Sequence, residues 1–231
     1  MYGRPDPKKV AHYLAMLKGE DREFASAVIK NTIYMPYNVL IQDIRYLIEK
    51  YLSSTTNCYM VVINFNEKEK SSDHRIYGDV VDMFSKPRYL GNITFKDNIK
   101  VDFSVDLLLI DDWICSGQMT TGKIDNFIYY NKSIKSKFYV IAPYQSYYNC
   151  IHRFAREYKV RVECLYARII EPISEYYTGD VEAMTERFGL ELEGYPIYGE
   201  HSMPGPFSSF PTIYLKGFIP ELKVEFGSLL T

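Results

Sequence analysis

The sequence predicts an α/β fold: a twisted, mainly parallel sheet with helices on both faces. Three observations carry this. Short apolar, β-branched runs recur through the middle of the chain, in NCYMVVINF, SVDLLLID, KFYVIAPY and VRVECLYA. These runs are apolar on both faces, the pattern of strands covered on both sides. A segment of helical period separates each run from the next, which is the spacing of strand–helix–strand units.

The elements follow in order. Residues 6–52 read as helical. DPKKVAHYLAMLKG opens on aspartate and proline and stops at a glycine, and DREFASAVIKNTIYM follows it. PYNVLIQDIRYLIEKYLSS starts on a proline and places Val39, Leu40, Ile44, Leu47, Ile48 and Leu52 on one face. After residue 56 the period changes and NCYMVVINF reads as a buried strand. A polar loop leads to a helix that starts near Ser72 or Asp73. SVDLLLID is a second strand and GQMTTGKIDNFIYYN a second helix of this alternating region. KFYVIAPY and QSYYNCIHRFAREY are the third pair, and VRVECLYA is the fourth strand. The segment EGYPIYGEHSMPGPFSSFPTIYLKGFIPEL is rich in proline, glycine and aromatics, and reads as an irregular hood over one sheet edge. The expectation is one domain over 1–231, with an N-terminal helical region at 1–55, a parallel-sheet core at 56–170 and a C-terminal hood at 171–231.

Composition narrows the function. The 231 residues include 47% hydrophobic and 24% charged, enough to fill a core and ordinary for a globular chain. The formal net charge of -2 gives no electrostatic reason to expect nucleic acid. Cys58, Cys115, Cys150 and Cys164 form no CxxC pair and no cluster at zinc spacing. The N-terminus lacks a signal-peptide apolar stretch, and no run approaches the roughly 18 to 20 apolar residues of a membrane span. A soluble cytoplasmic protein is the expectation.

Where the second core strand ends, LLLI runs into Asp111 and Asp112. Adjacent carboxylates repel each other, so their placement at a buried strand's tip needs a reason. One reason is a polyhydroxyl ligand or a cation, since each carboxylate offers several acceptor positions. Another is the preference for acids ahead of a helix N-terminus. The small-residue turn that follows opens a helix, where backbone amides and the helix dipole favour an anion. Together the two halves suit a sugar phosphate.

LLLIDDWICSGQM resembles the 5-phosphoribosyl-1-pyrophosphate (PRPP) signature of the phosphoribosyltransferase superfamily. That signature is four apolar residues, two acids, two apolar residues and a loop rich in Thr, Ser and Gly. Leu107 to Ile110 match its strand, Asp111 and Asp112 its acids, and Trp113 and Ile114 its apolar pair. Cys115, Ser116, Gly117, Gln118, Met119 and Thr120 occupy the loop. Cys115 stands where the family has a hydroxyl residue, and Met119 where another hydroxyl is frequent. The resemblance implies a phosphoribosyltransferase-like fold and assigns the 115–120 loop to the 5-phosphate. It assigns Asp111 and Asp112 to ribose hydroxyls and to Mg²⁺. The loop after the first core strand is the family's pyrophosphate site. Here Lys70, Ser71 and Ser72 are the candidates, with Lys68, His74 and Arg75 nearby; a solvated mixed-charge loop is the other reading. The pattern also resembles a divergent branch, PRTase-CE, found in bacterial stress and defence gene clusters. In the hood, His201 and Phe207 are candidates to bind an acceptor, since aromatics and hydroxyls suit a flat heterocycle.

The implied activity is phosphoribosyl transfer from PRPP to a nitrogen nucleophile with release of pyrophosphate. Mg²⁺ is the implied cofactor, and PRPP and a nucleobase are the implied partners. The alternative is a non-catalytic module that binds PRPP or a nucleotide and reports to a protein partner, as in a stress or defence system.

Overall fold

The computed structural model describes residues 7–63, 72–94, 105–131, 136–146, 149–188 and 197–199. In chain order the helices are α1 (Pro7–Met16), α2 (Gly19–Asn31), α3 (Tyr37–Ser54), α4 (Ser72–Val80), α5 (Gln118–Tyr130), α6 (Ile151–Glu157) and α7 (Val181–Arg187). The strands are β1 (Ile33–Met35), β2 (Tyr59–Val62), β3 (Tyr89–Ile93), β4 (Asp106–Ile110), β5 (Trp113–Ile114), β6 (Lys137–Ile141), β7 (Tyr144–Ser146), β8 (Arg161–Leu165), β9 (Arg168–Ile170) and β10 (Ile197–Gly199). No helix among the described residues is long and apolar enough to cross a membrane.

The main sheet has the order β3-β2-β4-β6-β8, and its pairings are parallel. This is the α/β architecture with a mainly parallel sheet that the alternating runs predict. β4 is buried along its whole length. Side chains alternate across the sheet. Leu107, Leu109, Phe138 and Val140 pack with Ile124 and Phe127 of α5 and Ile151 of α6. α3 turns Leu40, Ile44, Leu47, Ile48 and Tyr51 inward at helical spacing, while Val39 and Leu52 of the predicted face stay half-buried. The strand order reverses between β2 and β4, and ligands in such sheets bind beyond the carboxyl ends at that reversal.

Several local expectations are corrected. The sequence reading had no strand at Tyr89–Ile93, which is the sheet edge β3. Gly91 sits at φ +119 in its middle, and the pairing register with β2 shifts between Tyr59 and Val61. Such an irregular, half-exposed edge strand leaves no apolar run to read. α6 begins at Ile151 rather than near Gln145, because Tyr144–Ser146 is spent on β7. β4, β6 and β8 each break for two residues and resume as β5, β7 and β9, which form a second small sheet in that order. The helical region expected over 6–52 is interrupted by β1, at the end of its second segment, and β1 pairs parallel with β10.

By its internal contacts the chain divides into two compact units, 38–169 and 1–37 with 170–231. In the second unit α1 and α2 share a core with later residues: Tyr13, Leu17, Phe24, Ala25 and Val28 cluster with Ile173, Met184 and Phe188. The C-terminal region contributes α7, capped by Asp180, whose Oδ1 accepts the Ala183 amide at 3.0 Å. Lys70, Ser71, His201 and Phe207, with most of the expected hood, lie outside the described residues.

At the start of β4, Asp106 is buried among aromatic rings. Tyr51 Oη donates to its Oδ2 at 3.0 Å, and Asn57 Nδ2 lies 3.4 Å from both oxygens. Burial, and then the charge of Asp106, push the Tyr51 phenol far above its ordinary range. Tyr51→Phe keeps the ring contacts to Tyr59 and Tyr139 but leaves a buried carboxylate short of a donor. It is expected to lower the unfolding free energy by about 1–3 kcal/mol, read from urea midpoints at unchanged m.

Candidate functional site at the tip of the central strand

The tip of β4 is held by its neighbour. The Asp111 amide donates to the Ile141 carbonyl of β6 at 2.9 Å, and beyond this bond the chain turns. Each acid then accepts the amide that follows it. Asp111 Oδ1 takes the Asp112 amide at 3.1 Å, and Asp112 Oδ1 takes the Trp113 amide at 2.9 Å. The Lys123 ammonium of α5 stands 3.7 Å from Asp111 Oδ2. Two backbone donors and one cation thus offset the repulsion between adjacent carboxylates. The acids are not equivalent. Asp112 is buried, whereas the Asp111 side chain keeps 15% of its surface exposed.

Trp113 and Ile114 form β5 and pair with Tyr144 and Gln145 of β7. Cys115 is buried behind them. Burial first, then the charges of Asp112 and Asp111, push its thiol up to about 12. It is therefore a neutral thiol near pH 7 and a weak hydrogen-bond donor.

The turn into α5 is pinned against the start of α6. The Ser116 carbonyl accepts the Cys150 amide at 2.8 Å. Gly117 adopts φ +78, and a Cβ there would lie 3.1 Å from Ile151 Cγ1 and 3.3 Å from both Asn149 Cβ and the Cys150 amide. Only glycine meets both demands, the left-handed backbone and the close approach. Gly117 occupies the N-cap position without a side-chain cap, and the Thr121 amide bonds to its carbonyl at 2.9 Å. The Gln118 amide lies 3.4 Å from Ser116 Oγ. Gln118 is exposed and Met119 is 76% exposed, whereas Thr120 is buried. Such a helix start offers main-chain donors and the positive end of the dipole to an anion.

Asp111 and Thr120 line one recess with Lys123, over a floor of Val62, Leu109, Ile110 and Val140. Ser72 begins α4, where the sequence placed that helix start. Lys123 escaped the sequence reading. The available signal was its spacing from Thr120: residues three apart on a helix share a face, and Thr120 lies in the phosphate-loop motif. Among the described residues no three or more His, Cys, Asp or Glu side chains group to hold a metal ion.

No protein-family model matches the sequence, and no curated protein does. Solved structures do resemble it. One is the xanthine-guanine-hypoxanthine phosphoribosyltransferase of Helicobacter pylori, 11% identical over 59% of this chain and 87% of its own, with a TM-score of 0.37. Another is the orotate phosphoribosyltransferase of Aeropyrum pernix, 11% identical over 66% of this chain and 76% of its own, at 0.36. A hypothetical protein from Neisseria gonorrhoeae with bound ppGpp is 9% identical over 67% of this chain and 95% of its own, at 0.37. Phosphoribosyltransferases are thus among the structures that this chain resembles. At these identities and TM-scores the likeness carries no argument about this chain.

Two outcomes follow from the geometry. Gly117→Ala strains the turn and presses on Ile151 and Asn149, so it is expected to cost about 1–3 kcal/mol of stability by urea unfolding. Cys115, neutral and buried, is expected to resist iodoacetamide at pH 8 until the protein is denatured. Mass spectrometry of the labelled peptides checks this against Cys58 and Cys150, which are less buried.

Proposed function

We propose that the chain binds PRPP at the tip of β4 and transfers its phosphoribosyl group to a nitrogen nucleophile, releasing pyrophosphate. The observation that carries this reading is the pairing of Asp111 with the turn at Gly117. A partly exposed carboxylate stands where the strand order reverses, and six residues on a glycine-pinned turn opens α5. Acceptors for sugar hydroxyls and donors for a phosphate are then neighbours in one strand–turn–helix.

In this reading Asp111 accepts from the ribose hydroxyls. Asp112 holds the tip through the Trp113 amide and adds negative charge behind it. The backbone amides of the 115–120 loop, with Ser116 Oγ, receive the 5-phosphate. Lys70, Ser71 and Ser72 are assigned to the pyrophosphate, and His201 and Phe207 to the acceptor. As the C1–O bond breaks, its electron pair leaves with pyrophosphate. The acceptor's lone pair forms the C1–N bond, and the nitrogen's proton passes to solvent. Positive charge develops on the ring on the way, and the carboxylates at the strand tip stabilise it.

Magnesium ions bind through one or two carboxylates and substrate phosphates while keeping water ligands. The acids Asp111 and Asp112 fit that donor set poorly: Asp112 is buried and bonded to the Trp113 amide, and the Lys123 ammonium already stands beside Asp111 Oδ2. A magnesium ion bound at the pyrophosphate end of the ligand would neutralise the leaving group's charge.

A second reading has its own observation. Cys115 is a buried neutral thiol, and Met119 is exposed in the loop where the family's hydroxyls stand. A loop that grips phosphate mainly through main-chain amides suits binding without turnover, as in a sensor that reports to a protein partner.

Calorimetric titration with PRPP and magnesium tests the shared claim. Wild type is expected to bind, and the double variant Asp111→Asn, Asp112→Asn to lose at least about tenfold in affinity, the loss of charge-assisted hydrogen bonds to the sugar. Equal binding by the two would remove the assignment. Pyrophosphate release with a panel of nucleobases then separates transferase from sensor.

A further inference from the structure

Lys123 lies on the second turn of α5 and reaches back to the tip of β4. Its ammonium is 3.7 Å from Asp111 Oδ2, and the two side chains are 16% and 15% exposed, so solvent screens the pair only partly. At that distance the contact is one of charge rather than a hydrogen bond. Thr120, one turn earlier on the same helix face, lines the same recess, whose floor is apolar. A fixed cation is therefore built into the strand end, beside the more exposed of the two acids.

We propose that Lys123 is the resident counter-ion of Asp111, so that this site holds the ribose 5-phosphate half of its ligand without a divalent cation. The inference rests on the ribose-phosphate reading of the same strand tip. A divalent ion approaching Asp111 Oδ2 meets an ammonium already in place. Magnesium also gives up its water reluctantly, so displacing the lysine offers it little. The lysine's charge faces Asp111 Oδ2 and favours the carboxylate's place as an acceptor for hydroxyls, which is the task a metal would otherwise share. The need for magnesium then falls on the pyrophosphate end of the ligand, which carries its own dense negative charge.

Ribose 5-phosphate lacks the pyrophosphate and is the probe. It is titrated calorimetrically into wild type, Lys123→Met and Lys123→Arg, each in EDTA and each in magnesium, with PRPP and magnesium as a parallel arm. Wild type is expected to bind the probe equally in both buffers. Lys123→Met is expected to bind it about ten- to a hundredfold more weakly in EDTA, with part of the loss recovered by magnesium. Lys123→Arg keeps the charge and is expected to stay within a few-fold of wild type. A wild type that needs magnesium to bind the probe overturns the counter-ion role and leaves the ribose-phosphate reading standing if PRPP binds. Lys123→Met binding like wild type in EDTA overturns it too, as does equal loss by both variants. A wild type that binds neither ligand removes both readings. The comparison of buffers in wild type decides the question even if Lys123→Met does not fold.

Discussion

The burial of β4 is the constraint on which the rest depends. Hydrogen-bonded to β2 on one side and β6 on the other, with every residue buried, this strand has no solvated edge or face. Charge that is to reach solvent from it must wait for the strand to end. The tip is where the Asp111 amide makes its last bond to β6, and the side chain that follows is the first with access to water. The position of the acids is thus a consequence of how the sheet is covered.

Placing two carboxylates at such a tip carries an electrostatic cost, and the structure meets it locally. Each acid caps the next backbone amide, so the chain's own turn supplies donors that the strand has just run out of. Lys123 adds a positive charge from the helix the turn leads into. The asymmetry between the acids follows. Asp112 is committed to the turn and buried, whereas Asp111 keeps surface toward solvent. The proposed ligand therefore meets chiefly Asp111, with Asp112 bonded into the turn behind it. Burial first, and then the same charges, push the Cys115 thiol up, so it stays neutral at the start of the proposed phosphate loop.

The turn itself depends on an element distant in sequence. Gly117 is required less by the helix it opens than by α6, whose first residues lie against it. The Ser116 carbonyl and the Cys150 amide tie the loop to the same place. Whatever binds at the start of α5 therefore does so against a surface fixed from two sides. The second small sheet of β5, β7 and β9 extends this region past the core strands and anchors Trp113 directly after the acids.

The sequence alone determined the α/β class, the buried strands at 59–62, 106–110 and 137–141, the strand at 161–165, which proves to be a half-exposed sheet edge, and the strand–turn–helix around Asp111 and Gly117. These are local patterns: apolar period, a glycine at a turn and acids after an apolar run all lie within a few residues of each other. Tertiary structure decided what local pattern cannot encode. The edge strand β3 is made by pairing rather than by its own hydrophobicity, and the break of α6 into β7 follows from a partner strand at Trp113. The grouping of the first two helices with residues after 170 joins segments more than a hundred residues apart. The role of Lys123 belongs to this second class. A lysine on an amphipathic helix reads as a solvated charge, and only the packing of α5 against the sheet brings its ammonium to the acid at the strand tip.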